Sequence, residues 1–312
     1  MNNNLKYYTF AFLALLFFSA CDKKEYQTIV ELDDSNIQEY IQKNGISVEE
    51  YENTGIYYSI VEEGTGPVIN YEDKIPLVFT LKTLDGTYNS VDTFSAANRY
   101  YDFLGYFPYG SASANAPGSP LDQETGMKVI LKNVLKNANG KVRIIVPSRL
   151  AYGRNGTKLI PSNASIDYLI HAIDPENIPA YEDESIRKYI ASLGFQPSDF
   201  EKTSTGIYYK VDALGTGEFL NENTNFQAAY DLKFLDGASF QKADSATFNL
   251  KEVIPAWREV MPKVKESGKI RMLIPSAQAY GFEGRKDQNT GAVAIPPFAS
   301  LDYEVEVIKV RN

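Results

Sequence analysis

The 312-residue chain contains one cysteine, one histidine and one tryptophan. A lone Cys21 leaves no internal disulfide to form, and a lone His171 removes histidine-based metal sites and catalytic dyads from consideration. His171 lies in the strand-like run Leu-Ile-His-Ala-Ile and reads as structural. Positive charge is also short: 31 Lys and Arg against 40 Asp and Glu give a formal charge of −9, which argues against nucleic acid as a partner and for solubility. Phosphate-cradling glycine loops are missing, and no set of side chains fits acid/base, nucleophilic or metal chemistry. No metal and no cofactor is expected. With 44% hydrophobic and 23% charged residues the composition is that of a globular protein, long enough for two domains with a core each.

Aromatic side chains are abundant, 22 Tyr and 17 Phe, and their placement is uneven. Trp257 falls in the stretch Leu250 to Met261, where Val253 and Ile254 end an extended segment and Pro255 sits where a helix starts, its missing N–H being unpaired there anyway. Trp257, Met261 and Val264 recur at helical spacing, so one reading is a short amphipathic helix packed on a sheet. The other is the floor of an apolar cup, because Tyr230, Phe240, Phe248, Tyr280, Ile295 and Tyr303 all fall at strand ends or turns. Pro262 requires the helix to kink or end early.

Residues 1–20 read as an export signal: Lys6 gives the positive charge, Phe10 to Phe18 the apolar core, Ser19-Ala20 the small residues before a cleavage point. Losing Lys6 would take the charge from −9 to −10. The apolar run is too short to span a bilayer comfortably. Because Cys21 follows Phe18-Ser19-Ala20 directly, the segment resembles a bacterial lipoprotein lipobox, although Phe18 stands where leucine is usual. That resemblance implies a mature chain beginning at an acylated Cys21 and held on a membrane of the cell envelope by several acyl chains. An ordinary secretory signal with an incidental cysteine is the alternative. Charged, aperiodic residues 21–33 then read as a tether.

A short helix is expected next, with Ser35-Asn36 as N-cap, Ile37, Tyr40 and Ile41 as its apolar face and Gly45 as its end. The same device returns from Ser185 to Gly194, with Ile186, Tyr189 and Ile190 as the face. Gly55-Ile56-Tyr57-Tyr58 returns as Gly206-Ile207-Tyr208-Tyr209 and Gly64-Thr65-Gly66 as Gly215-Thr216-Gly217, both 151 residues later. Gly140 and Ala151-Tyr152-Gly153 match Gly268 and Ala279-Tyr280-Gly281 at an offset of 128, and after that turn the offset becomes 135. The first copy therefore carries 23 extra residues and the second 7, which makes the chain a tandem repeat with separately edited loops. The boundaries read as 34–174 and 185–312, with an acidic, proline-punctuated linker at 175–184. Clean alternation in Ile270 to Ile274 and Leu301 to Val307 predicts antiparallel sheets with one wet, acidic face, and the helix after Pro255, or its counterpart near Lys128 to Asn137, is the available cover. The fold class is α+β.

Taken in order, Tyr230, Asp236-Gly237, Phe240, Phe248, Glu252-Val253-Ile254, Trp257, Gly268, Ala279-Tyr280-Gly281, Ile295-Pro296-Pro297 and Tyr303 resemble the FKBP-type prolyl cis/trans isomerase pattern. The resemblance covers roughly residues 206 to 311. It implies a curved antiparallel sheet wrapped on a short helix in each copy, proline-containing polypeptides as substrates, and folding assistance to exported proteins. It further implies Trp257 as floor, Tyr230, Phe240, Phe248, Val253, Ile254, Ile295 and Tyr303 as walls, the Ile254 N–H and the Tyr280 hydroxyl as holders of peptide carbonyls, and Glu252, Ala279 and Pro296 as flanking contacts. Two positions depart from the pattern: Gln241 stands where an acid is usual, and Ala246 replaces a common aromatic.

The first copy departs further. Val129 takes the place of Trp257, and Asn89-Ser90 the place of Phe240-Gln241, so its aromatic cup is dismantled and it is expected to be inactive. Its extra residues form an aromatic insert, 98–120, which is either a surface loop or a contact surface for a protein partner. A prolyl isomerase active in the second copy is one reading of the whole; a non-catalytic lipoprotein whose two domains bind peptide or protein is the other.

Overall fold

In the computed structural model, residues 27–90, 98–107, 127–237 and 239–311 are described. Cys21, the 1–20 signal and residues 108–120 of the insert lie outside them. The first half forms a sheet from β1 (Glu49–Glu50), β2 (Tyr57–Glu62), β3 (Lys74–Thr83), β4 (Asn89–Ser90), β5 (Arg99–Phe103), β6 (Gly140–Val146) and β7 (Ile166–Ala172). Its order is β1-β2-β6-β7-β3-β4, with β5 also on β3, and every pairing is antiparallel. The second half contributes β8 (Glu201–Lys202), β9 (Tyr208–Ala213), β10 (Thr216–Phe219), β11 (Asn225–Phe234), β12 (Ser239–Asn249), β13 (Lys265–Glu266), β14 (Lys269–Ile274), β15 (Arg285–Lys286), β16 (Val293–Ile295) and β17 (Leu301–Arg311). Its main sheet runs β12-β11-β17-β14-β9-β8, the first sheet's order read from the other end, with β12 where the first half has β4 and β5.

Each sheet packs one face on a short inner helix. In the second half this is Pro255–Val260, with Pro255 in its first turn; the helix stops at Val260 and a 3-10 turn at Met261–Lys263 follows, as Pro262 demands. Alternating residues Phe226, Ala228 and Leu232 of β11, and Ile270, Met272 and Ile274 of β14, are buried against Ala256, Trp257, Val260 and Met261. Each large side chain so buried contributes about 1.5–3 kcal/mol of gross hydrophobic stabilisation. The first half's counterpart is α-helical from Met127 to Val129 and π-helical from Ile130 to Leu135. Gly268 lies so close to the Lys265 and Leu214 carbonyl oxygens that a Cβ would stand 2.8 and 2.9 Å from them, and Gly140 is as crowded against Gly64.

The outer faces are wet only in part: Glu304 and Glu306 of β17 are exposed as expected, but a helix covers the rest of each face. A 16-residue helix, Ile29–Asn44, lays Ile37 and Tyr40 on Ile145 of β6; a 15-residue helix, Ile178–Ser192, lays Ile186, Tyr189 and Ile190 on Leu273 of β14. Both helices start earlier than the sequence suggested. Thr28 and Glu31 form a reciprocal capping box that starts the first helix at Ile29, inside the expected tether, and leaves Ser35 within it; Gly45 ends it in a left-handed conformation. The second helix absorbs most of the expected 175–184 linker, which is helical from Ile178 after a 3-10 turn capped by Asp174.

These helices bring identical polar clusters onto the sheets. Asp302 on β17 is fully buried and accepts from Arg271 Nε and Nη2 at 2.9 and 2.5 Å and from the Tyr189 hydroxyl at 2.9 Å. Asp167 on β7 accepts from Arg143 at 2.9 and 2.5 Å and from Tyr40 at 2.7 Å. Asp302, expected on a solvated acidic face, is thus a paired core charge.

Candidate functional site

The bulged pairing of β11 with β12 and the long pairing of β11 with β17 set aromatic side chains over the inner helix: Tyr230 lies opposite Val305 and Ala243, and Tyr303 opposite Leu232 and Met272. Trp257, only 3% exposed, sits in the first turn of that helix at the centre of this aromatic cluster. Its ring centroid is 4.9 Å from Phe248, 5.3 Å from Tyr303, 6.2 Å from Tyr230 and 6.3 Å from Phe226. The Tyr303 and Tyr230 rings meet it edge-on, at 81° and 83°, a favoured aromatic geometry. The buried indole Nε1 has no partner among the described residues.

Around the indole stand half-buried Phe240, Phe248, Val253, Ile254, Ala279 and Tyr280, together with buried Ile295. Ile254 caps the helix: its carbonyl accepts from the Trp257 and Arg258 N–H groups at 3.0 and 3.3 Å. Pro296 is half-buried next to Ile295, at the end of β16. Gln241 is exposed on β12 and reaches the Tyr230 hydroxyl. Glu252 is exposed in the 3-10 turn Leu250–Glu252, outside the packed cup. All the other residues singled out for the second-copy pocket converge on one place.

Polar groups at the rim are hydroxyls. Burial, then the neighbouring Tyr280, push the Tyr303 hydroxyl well above the usual phenol range; burial also raises Tyr230, against the opposing effect of Gln241. Both remain neutral donors at ordinary pH. Arg285 places its guanidinium 5.4 Å from the Tyr280 ring centroid and 5.8 Å from that of Phe240. Sequence reasoning missed this cation, and nothing in its spacing would have revealed it. It also missed Phe226 beneath the indole, although Phe226, Ala228, Tyr230 and Leu232 alternate along one strand face.

The FKBP-type peptidyl-prolyl cis-trans isomerase family model matches residues 217–308, the span that contains every one of these side chains. Over residues 217–308 the chain is similar to that family. The FKBP-type peptidyl-prolyl cis-trans isomerase FkpA of Escherichia coli (strain K12) is 32% identical over 113 residues, which is 35% of this chain and 39% of that protein. A probable FKBP-type peptidyl-prolyl cis-trans isomerase of Haemophilus influenzae is 31% identical over 117 residues, 36% of this chain and 46% of that one. The matches thus span less than half the length of these curated relatives. Among solved structures, the crystal structure of FkpA from Escherichia coli is 28% identical over 44% of this chain and 62% of that one, at a TM-score of 0.36.

In the first half, Val129 is buried at the sequence position matching Trp257, and residues of the insert pack into the same core cluster. Phe107 is buried with its ring 6.2 Å from Phe79 and 4.9 Å from Tyr100, and Leu104 is fully buried beside them. The described part of the insert, 98–107, therefore folds inward rather than standing as a free aromatic surface; of its aromatics only Phe103 and Tyr106 are exposed.

Proposed function

We propose that the FKBP-type domain catalyses cis/trans isomerisation of Xaa-Pro bonds in polypeptides, with Trp257 under the proline ring. The observation that carries this is the buried indole ringed by Phe248, Tyr230 and Tyr303, with no acid, base or nucleophile aimed at it. The reaction fits such a cup. Rotation about the imide crosses a barrier of about 18–20 kcal/mol set by amide resonance, and a dry apolar surface lowers it by favouring the twisted, less resonance-stabilised state over either planar isomer. The Tyr280 hydroxyl and the Ile254 N–H fix the peptide carbonyls on either side. The first domain, read as a degenerate FKBP-like copy with Val129 in place of Trp257, contributes no catalysis; the packing of Phe107 against Phe79 supports that reading.

Full-length protein should accelerate isomerisation of a proline-containing peptide, and Trp257→Leu should abolish most of that rate at a stability loss of about 1–3 kcal/mol, since shape rather than apolarity is removed. Equal rates from parent and variant would make the indole plain core. One observation favours a second reading, peptide binding without turnover: Gln241, beside Tyr230, supplies no negative charge at the rim. Affinity for the peptide without any rate enhancement would establish it. We further place the chain in the cell envelope, anchored through acylated Cys21 and assisting exported proteins; a lipid label retained by Cys21→Ser would overturn the anchor.

A further inference from the structure

The loop from Tyr280 to Phe298 carries Ile295 and Pro296 to the cup, and it is held by groups that lie outside residues 217–308. Both ends are tied to one carboxylate. Glu182 of the Ile178–Ser192 helix, buried at 1% exposure, accepts from the Ser276 N–H at 2.9 Å, the Ser276 hydroxyl at 3.1 Å and the Ser300 hydroxyl at 3.0 Å. The first half has a comparable tie: Asp33 accepts from the Arg149 N–H at 3.1 Å and the Ser165 hydroxyl at 3.2 Å, while the Ser148 N–H donates to the Ser165 hydroxyl.

A second hold has no counterpart there among the described residues. Arg99, at the start of β5 in the first domain, is 9% exposed; its Nη1 donates to the Phe298 carbonyl at 2.6 Å, and its guanidinium lies 5.0 Å from the Phe298 ring centroid and 5.8 Å from that of Tyr181. Tyr101 meets Phe282 edge-on at 6.0 Å, and Lys74 pairs with Glu283 at 2.9 Å. Phe298 itself is fully buried with Ile173 and Ile178, between the two halves.

Phe298 also has a φ of 38°, in the left-handed region that disfavours a bulky residue. The matching residue of the first copy is Asn163, also left-handed at φ 56° but exposed, and asparagine tolerates that conformation. A phenylalanine is kept at such a position only where its surroundings over-determine it. Here the surroundings are Arg99, Tyr101 and Ile173 of the first domain, together with Ile178 and Tyr181 of the Ile178–Ser192 helix and Phe282 of the loop itself.

We propose that Arg99 is a positioning residue for the cup: by gripping Phe298 it fixes the loop that sets Ile295 and Pro296 over Trp257, so the degenerate domain braces the binding domain. The brace rests on the proposed function for its consequence but not for its existence. Both are tested in the full chain with Arg99→Met, which keeps the apolar stem, and Arg99→Lys, which keeps charge and a donor. Arg99→Met should speed hydrogen exchange across residues 281–298 by about tenfold or more while β14 and β17 exchange as in the parent. It should raise the dissociation constant of a proline peptide, read from Trp257 emission, by about fivefold, with KM moving more than kcat. Arg99→Lys should recover most of both. If Arg99→Met does not fold, Tyr101→Leu should loosen the same loop to a smaller degree. Unchanged loop exchange in a folded Arg99→Met or Tyr101→Leu chain would overturn the brace. A parent that binds no proline peptide would defeat the proposed function, and the exchange experiment would still decide the brace.

Discussion

Tyr230 and Tyr303 present hydroxyls at the cup, and burial keeps both protonated beyond the usual phenol range. A mechanism that moves no proton and relies on these neutral groups should show no titration of its own. We expect kcat/KM for a proline peptide to stay flat from about pH 6 to 9; a bell-shaped profile would instead point to a general acid or base. Tyr280 is half-buried between Tyr303 and the Arg285 guanidinium. Tyr280→Phe removes the hydroxyl proposed to hold a peptide carbonyl, and with it a hydrogen-bond partner of buried Tyr303; it should weaken binding by about 0.5–1.5 kcal/mol and lower stability by about 1 kcal/mol. An unchanged dissociation constant would take Tyr280 out of the binding set.

Among elements, the inner helix and its sheet were legible because Pro255, Trp257 and the later Ala-Tyr-Gly and Ile-Pro-Pro turns are local signals. The outer helices were half legible: their apolar faces, Ile37-Tyr40 and Ile186-Tyr189-Ile190, were read, but their starts were not. Thr28 with Glu31 three residues on is a sequence-visible capping box that was passed over. The stretch after Asp174 looked like a linker because it is acidic, yet Glu182 is acidic for a tertiary reason, the loop it ties, which no local pattern carries. Asp302 was likewise assigned to solvent by alternation alone. Its pairing with Arg271 and Tyr189 makes a firm prediction: Asp302→Asn leaves a nearly buried guanidinium with only the longer 3.7 Å contact to exposed Glu304 and should cost about 2–4 kcal/mol, whereas Tyr189→Phe should cost about 1. Equal, small losses in urea melts would show that the cluster is worth little.

For the whole molecule, the repeated Tyr-Asp-Arg clusters and the matching strand orders support a duplicated architecture, with an aromatic cluster around Trp257 in one half and Val129 at the matching place in the other. The two halves meet at a site that should sense acid. His171 on β7 lies 6.0 Å from the Tyr181 ring, near Lys141 of β6, Glu62 of β2 and Glu184 of the Ile178–Ser192 helix; burial, then Lys141, push its pKa down to about 4. The unfolded imidazole titrates near about 6.5, so between these values the unfolded chain takes a proton that the folded protein refuses. Stability should therefore fall as the pH drops from about 6.5 towards 4, and His171→Phe should remove that part of the slope. A variant that loses stability on acidification as steeply as the parent would assign the effect to the carboxylates.

Whether the proposed cup receives proline can be asked directly, because Trp257, its proposed floor, is the single indole in the chain. Titrating full-length protein with a proline-containing peptide should shift or quench Trp257 emission in a saturable way as the ligand replaces water against the ring. An alanine-for-proline peptide should leave the emission where it was. Emission that ignores saturating proline peptide, or responds equally to both peptides, would contradict the assignment of this cup as a proline site.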